Sequence, residues 1–190
     1  MSSALLENSG LITQIGEEVL YTACRHGVRW LDDGIPQVNI AVNLSAKQLV
    51  QQDMAAIIER VLRRTGFPAS SLVVELTESM IVDAHSKTKN TLSTLRAMGI
   101  DIAIDDFGTG YSTFRLLKDL PVDILKIDQM FIRNCENNKA DIAITRAIID
   151  VAHALNMRVI AEGVENTTHV DMLQELGCDY IQGFYLSEAL

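Results

Sequence analysis

The chain has 190 residues, 48% of them hydrophobic, which suits one domain with a sizeable core. Its formal net charge of −9 argues against broad nucleic-acid binding by charge alone. The three cysteines form no metal-ligand pattern, no apolar run reaches the roughly 18 residues of a membrane span, and no basic-then-apolar signal segment opens the chain, so the expected setting is cytoplasmic, with no direct membrane contact.

Leu11–Trp30 has helical spacing, with Ile12, Ile15, Val19 and Leu20 on or near one face. Val38–Val42 is a short apolar run that ends in Asn43. Ser45 is placed to cap a short helix over Ala46–Leu49, and Asp53 a longer one that runs to about Arg64 and stops at Thr65-Gly66-Phe67-Pro68. Leu72–Val74 ends in Glu75, with Glu78 following in a loop. A helix over about Ser86–Met98 is closed by Gly99, and Ile100–Ile104 ends in the pair Asp105-Asp106. A short helix follows Tyr111. Val122–Leu125 then ends in Lys126, and a long helix covers about Asp141–Leu155. Arg158–Ala161 ends in Glu162, a helix runs from Thr168 to Leu176 before Gly177, and Cys178–Ile181 ends in Gln182.

Alternating strands and helices imply a parallel sheet. The expected fold is α/β: an incomplete (β/α)8 TIM-like barrel with about six βα units, whose C-terminal strand ends converge on one mouth. The second architecture is an open doubly wound sheet, whose crevice also lies at those ends. Residues 1–190 read as a single domain. The series begins in a helix rather than a strand, so the expectation is a piece lacking its first strand and truncated at the C-terminus as well.

Each acid or amide has a bland reading as well as a chemical one. Asn43, Glu78 and Gln182 taken singly are ordinary caps or loop residues. Asp105-Asp106-Phe107-Gly108-Thr109-Gly110 is either a turn or a metal site with a mobile cover. Neighbours on a strand face opposite ways, so both acids serve one site only if the backbone turns, which Gly108 and Gly110 permit. Lys126, in an apolar strand, needs a partner: a carboxylate cluster, or an ordinary ion pair with Asp128 or a neighbouring strand. Taken jointly, four acids at one mouth repel. Two like charges at about 4 Å repel by about 1 kcal/mol in water and by about 4 at an effective dielectric near 20. One ammonium and one or two divalent cations would offset this, and the all-oxygen donor set favours Mg²⁺ or Mn²⁺ over Zn²⁺. Two such ions suit phosphoester hydrolysis. The histidines share no strand-end position and read as structural or solvent-exposed.

Asn43-Leu44-Ser45, Glu75-Leu76-Thr77-Glu78, Asp105 through Ser112, Lys126-Ile127-Asp128, Ala161-Glu162-Gly163-Val164-Glu165 and Gln182-Gly183 stand in the order seen in the EAL family, which this chain resembles from about Ser9 to Gly183. The resemblance implies a (β/α)8 phosphodiesterase that hydrolyses cyclic di-GMP to linear pGpG with two Mg²⁺ or Mn²⁺ ions, in bacterial second-messenger signalling. It implies Asn43, Glu75 and Asp105 as ligands of one ion and Asp105 and Asp106 as ligands of the other. Lys126 orients or helps deprotonate the attacking water. Glu162 acts as a ligand or a general base, and Gln182 hydrogen-bonds in the same shell. Glu78 anchors the Asp105–Ser112 loop, while Asp128 and Glu165 support the site from behind. It also implies a homodimer. The family's first-strand Glu-Ala-Leu and the arginine behind it are not found, and Glu188-Ala189-Leu190 spells those letters in the wrong place. The expectation is weak metal binding, with activity of the piece left open. The competing reading is a non-catalytic EAL-like module that binds the nucleotide or a partner protein.

Overall fold

The computed structural model describes residues 11–51, 53–82, 86–110, 117–135 and 138–187, and the side chains of 11–14, 51 and 82 fall outside the description. The expected short helix after Tyr111 and the Glu188-Ala189-Leu190 triplet lie outside the described residues. Two compact units are present: Met1–Leu76 with Ala84–Ile102, and Thr77–Asp83 with Ala103–Leu190.

In the first unit, helix α1 (Leu11–Asp32) precedes strand β1 (Ile40–Asn43). Helices α2 (Ala46–Gln51) and α3 (Met54–Thr65) follow, and a 3₁₀ turn (Ala69–Ser71) leads into β2 (Leu72–Thr77). The stop expected at Gly66 is realised: it is left-handed (φ 77°) and its amide donates to the Leu62 carbonyl. Asp53 caps α3 by accepting from the Ala56 amide. β1 and β2 are parallel, with Asn43 level with Glu75.

The apolar face of α1 differs from expectation. Leu20, Cys24 and Gly27 form its buried stripe, one turn apart, whereas Ile15 and Val19 are exposed. Val19 lines a 460 Å³ groove with His26, Trp30 and Ile40. The helix thus carries two apolar rows, and only one is covered by described residues. Ile12 lies among the undescribed side chains.

The second unit holds α4 (Glu78–Val82), most of β3 (Asp101–Phe107), β4 (Ile124–Ile127), α6 (Gln129–Ile132), α7 (Lys139–Ala154), β5 (Arg158–Ala161), α8 (Thr167–Glu175) and β6 (Tyr180–Ile181); α5 (Ser86–Ala97) belongs to the first. Asn138 and Asn166 cap α7 and α8 through their side-chain oxygens. Strands β3, β4, β5 and β6 pair in sequential order, each pair parallel. A doubly wound sheet reverses its order at a switch point, and these four strands do not. β4 is buried at all four positions, as a strand covered on both faces must be. Among the described residues, no helix is long and apolar enough to cross a membrane.

Four strand ends lie further along than the apolar runs suggest. β1 continues through Asn43, β2 through Glu75 to Thr77, β3 through Asp105 and Asp106 to Phe107, and β4 through Lys126 to Ile127. These polar residues are therefore part of the ladder rather than its terminators. Backbone pairing tolerates a charged side chain wherever that side chain finds a partner. Helix α6 has no counterpart in the sequence expectations; Asp128 starts it by accepting from the Met130 amide at 2.7 Å.

Candidate metal centre

The end of β3 sets the site. Between Ile104 and Phe107 the strand advances three residues while β4 advances two, from Leu125 to Ile127. This is a β-bulge. Asp106 takes the extra step in left-handed backbone, φ 55°, a conformation that aspartate tolerates better than most residues. The turn expected from Gly108 and Gly110 is thus made earlier, at Asp106 itself. One carboxylate oxygen each of Asp105, Asp106 and Glu162 lie within 4.8 Å of one another.

Lys126 stands among these acids. Its Nζ is 2.8 Å from Asp105 Oδ1 on β3 and 2.7 Å from Glu162 Oε1 just past β5, with a side chain only 5% exposed. The register explains the second contact. Lys126 lies level with Ile160, and the Glu162 amide extends the β4–β5 pairing by donating to the Ile127 carbonyl at 3.1 Å. Gly163, left-handed at φ 70°, then turns the chain away. Asp128 caps α6, and its carboxylate lies near enough to Asp106 to raise it.

Three formal negative charges therefore meet one positive charge. Burial pushes the Glu162 carboxyl above the usual carboxylate range, the nearby Lys126 opposes this, and the charges of Asp105 and Asp106 add to it. Asp106 is raised as well, by burial first, then by the charge of Asp105 and its contact with Asp128.

Glu78 opens α4 rather than lying in a loop, and it is 4% exposed. Its Oε2 accepts the amides of Gly108 at 2.8 Å and Gly110 at 3.1 Å. A side chain at position 110 would press on this carboxylate and push it from its place. Ser112 at the far end of that loop lies outside the described residues.

Gln182 follows β6, donates its amide to the Ala161 carbonyl at 2.8 Å and shares a 260 Å³ pocket with Glu162 and Glu165. Glu165 faces Arg133, Oε1 to Nε 3.4 Å. Arg133 and Phe184, which also line this pocket, carry no signal in the apolar runs; Arg133 becomes legible only once Asp128 is read as the cap of a helix. In the first unit Asn43 ends β1 exposed, while Glu75 is 7% exposed in β2 and its carbonyl accepts the Leu44 amide at 3.0 Å. The described histidines lie outside the acid cluster. His153 Nε2 meets Asp179 Oδ2 at 2.9 Å, His169 Nδ1 accepts the Glu165 amide at 3.3 Å, and His26 packs edge-on against Trp30.

The donor set fits a hard divalent cation. Three carboxylates converge without cysteine or histidine. Burial first, and then the charge of neighbouring acids, raises Asp106 and Glu162, and a dication among them would offset both.

The EAL domain profile matches residues 2–189. The bifunctional diguanylate cyclase/cyclic di-GMP phosphodiesterase MucR of Pseudomonas aeruginosa is 43% identical over 186 residues, 98% of this chain and 27% of MucR. The solved PaMucR phosphodiesterase complex with c-di-GMP superposes with a TM-score of 0.91 at 43% identity, over 97% of this chain and 75% of that one. Klebsiella pneumoniae BlrP1, solved with manganese and cyclic di-GMP, gives a TM-score of 0.85 at 26% identity, over 95% of this chain and 45% of that one. The chain spans about a quarter of the length of the curated relatives it matches. Its six parallel strands and surrounding helices are those of an incomplete (β/α)8 barrel.

Proposed function

We propose, because this chain belongs to the EAL domain family, that it serves a metal-dependent phosphodiesterase that hydrolyses cyclic di-GMP to linear pGpG in bacterial second-messenger signalling. The observation that carries the reading is Lys126, buried between Asp105 and Glu162 at 2.8 and 2.7 Å with Asp106 beside them. An ammonium is costly to bury and is offset here by two carboxylates, so its retention points to a role at the site.

Asp105, Asp106 and Glu162 would hold the ions, Mg²⁺ or Mn²⁺, two in the intact site. Bound there, such ions polarise the phosphoryl oxygens and lower the pKa of water. Lys126 orients the attacking water through its ammonium. Glu162 serves as a ligand of these ions or as the general base that accepts a proton from that water. Gln182 steadies the same shell, and Asp128 and Glu165 support it. Glu78 keeps Gly108 and Gly110 in place behind the acids. The assignment of Asn43 and Glu75 to the same ions rests on the family resemblance. Residues 1–190 act as one domain in a cytoplasmic homodimer, with no polymeric nucleic acid as partner.

The test is turnover. The full-length protein with cyclic di-GMP and Mn²⁺ should yield pGpG, a chelator should stop it, and Glu162→Gln should lower the rate more than about 100-fold. Binding of the nucleotide without any opening of the ring would establish the non-catalytic module instead.

A further inference from the structure

We infer that Phe131 is a positioning residue for the metal centre: its ring edge, seated against Gly108, fixes the turn that carries the Asp106 carboxylate. The inference rests on the metal-dependent reading above and deepens it.

Asp106 is the bulged residue of β3, in left-handed backbone. A bulged residue is left without a ladder partner, so the aim of its side chain depends on what holds its neighbours. Asp106 also opens a turn. Its carbonyl accepts from Thr109 Oγ1 at 2.9 Å and from the Thr109 amide at 3.4 Å. Gly108 stands inside that turn. Whatever fixes Gly108 therefore fixes the backbone on which the Asp106 carboxylate is mounted.

Two groups from different segments touch Gly108. Glu78 Oε2 accepts its amide at 2.8 Å. Phe131 lies on its Cα side, where an added Cβ would stand 2.5 Å from ring atom Cε2 and 2.9 Å from Cζ. One hydrogen bond sets a distance but leaves the turn free to swing about the Glu78 carboxylate. A ring edge packed against the α-carbon removes that freedom, because a close-packed interior yields little.

The ring can serve as a stop because α6 is itself fixed. Asp128 caps the helix through the Met130 amide, and the Phe131 amide donates to the Asp128 carbonyl at 3.2 Å. Phe131 and Ile132 are both buried. The cap lies two residues past Lys126, so the ring links the segment that carries the ammonium to the segment that carries Asp105 and Asp106. Only the outer ring atoms Cε2 and Cζ come so close to position 108; Cδ2 would be 3.6 Å from the added Cβ. A shorter apolar side chain would fill much of the same volume without reaching the turn.

The experiment measures Mn²⁺ affinity by calorimetry, and amide hydrogen exchange at Gly108, Thr109 and Gly110 without metal, in the full-length protein. Phe131→Leu keeps an apolar side chain but lacks the outer ring atoms. It should weaken Mn²⁺ binding by roughly 10- to 100-fold, the range for groups that orient metal ligands, and should accelerate exchange at the three amides. Phe131→Met, whose unbranched chain reaches about as far as the ring edge, should hold the affinity within about threefold of wild type. Ile58→Val removes a buried methylene from α3 in the first unit and should lower the melting temperature while leaving Mn²⁺ affinity within about twofold, as an independent site does. Unchanged affinity in Phe131→Leu, weakening without faster exchange, or equal weakening in Phe131→Met or Ile58→Val would overturn the positioning role. Failure of wild type to bind Mn²⁺ at all would instead overturn the metal-dependent reading, and the role of Phe131 with it.

Discussion

Lys126 and Glu162 meet at 2.7 Å although they belong to different strand ends, because the Glu162 amide continues the ladder by one residue onto the Ile127 carbonyl. The same lysine holds Asp105 at 2.8 Å. One ammonium thus ties two carboxylates that would otherwise repel.

Removing it has a pH-dependent cost. Lys126→Met leaves Asp105 and Glu162 partly buried without their countercharge. We expect a loss of about 3 kcal/mol near neutral pH in metal-free protein, shrinking on acidification as Glu162, whose carboxyl is raised by burial, takes up a proton. Chemical denaturation at two pH values measures this. An equal loss at both values would mean that packing of the lysine stem, not charge, is what the substitution removes.

Metal and protons should compete. The Glu162 and Asp106 carboxyls are raised in the metal-free protein. Between the ordinary carboxylate pKa and these raised ones, the folded state binds more protons than the unfolded state. Metal-free stability therefore falls as pH rises through that window and recovers on acidification. Mn²⁺ should reverse the slope, stabilising by about 2.7 kcal/mol at a hundredfold excess over its Kd. Melting temperatures across mildly acidic to neutral pH, with Mn²⁺ or a chelator, report both effects.

Glu78 should act through backbone amides rather than by touching substrate. Glu78→Ala leaves the Gly108 and Gly110 amides without their acceptor, at a cost of about 1–3 kcal/mol for each that stays buried. Glu78→Gln keeps one acceptor oxygen and should lose less. Amide hydrogen exchange at Gly108 and Gly110 should accelerate in the alanine variant; unchanged protection would remove the anchoring role.

Gly183 has no room for a methyl group. A Cβ there would press on the backbone of Val164, whose amide donates to the Gln182 carbonyl at 3.1 Å and whose carbonyl accepts the Tyr185 amide at 3.0 Å. Gly183→Ala should cost about 1–3 kcal/mol and displace Gln182. A melting temperature within experimental error of wild type would show that this turn yields freely.

Much of this was legible in the residue order, but unevenly. Apolar runs located the strands and the caps at Asp53 and Gly66, because burial and capping are local. The bulge at Asp106 was not legible: it depends on how β3 lies against β4, and Gly108 is the more obvious place to turn. Helix α6 was missed because it is four residues long, too short for periodicity, although Asp128 is a readable cap. The α1 stripe was misplaced because that helix carries apolar residues on two rows, and sequence alone does not say which row is covered. Charge balance pointed Lys126 toward carboxylates without naming which, and strand register decided for Asp105 and Glu162, whereas Arg133 needed α6 to be known first.

The left-handed backbone at Asp106 has an evolutionary corollary. Asparagine adopts that conformation about as readily as aspartate, so exchanging one for the other preserves the bulge while deleting a charge. A descendant could lose one carboxylate of the cluster in a single conservative step and keep the course of its backbone.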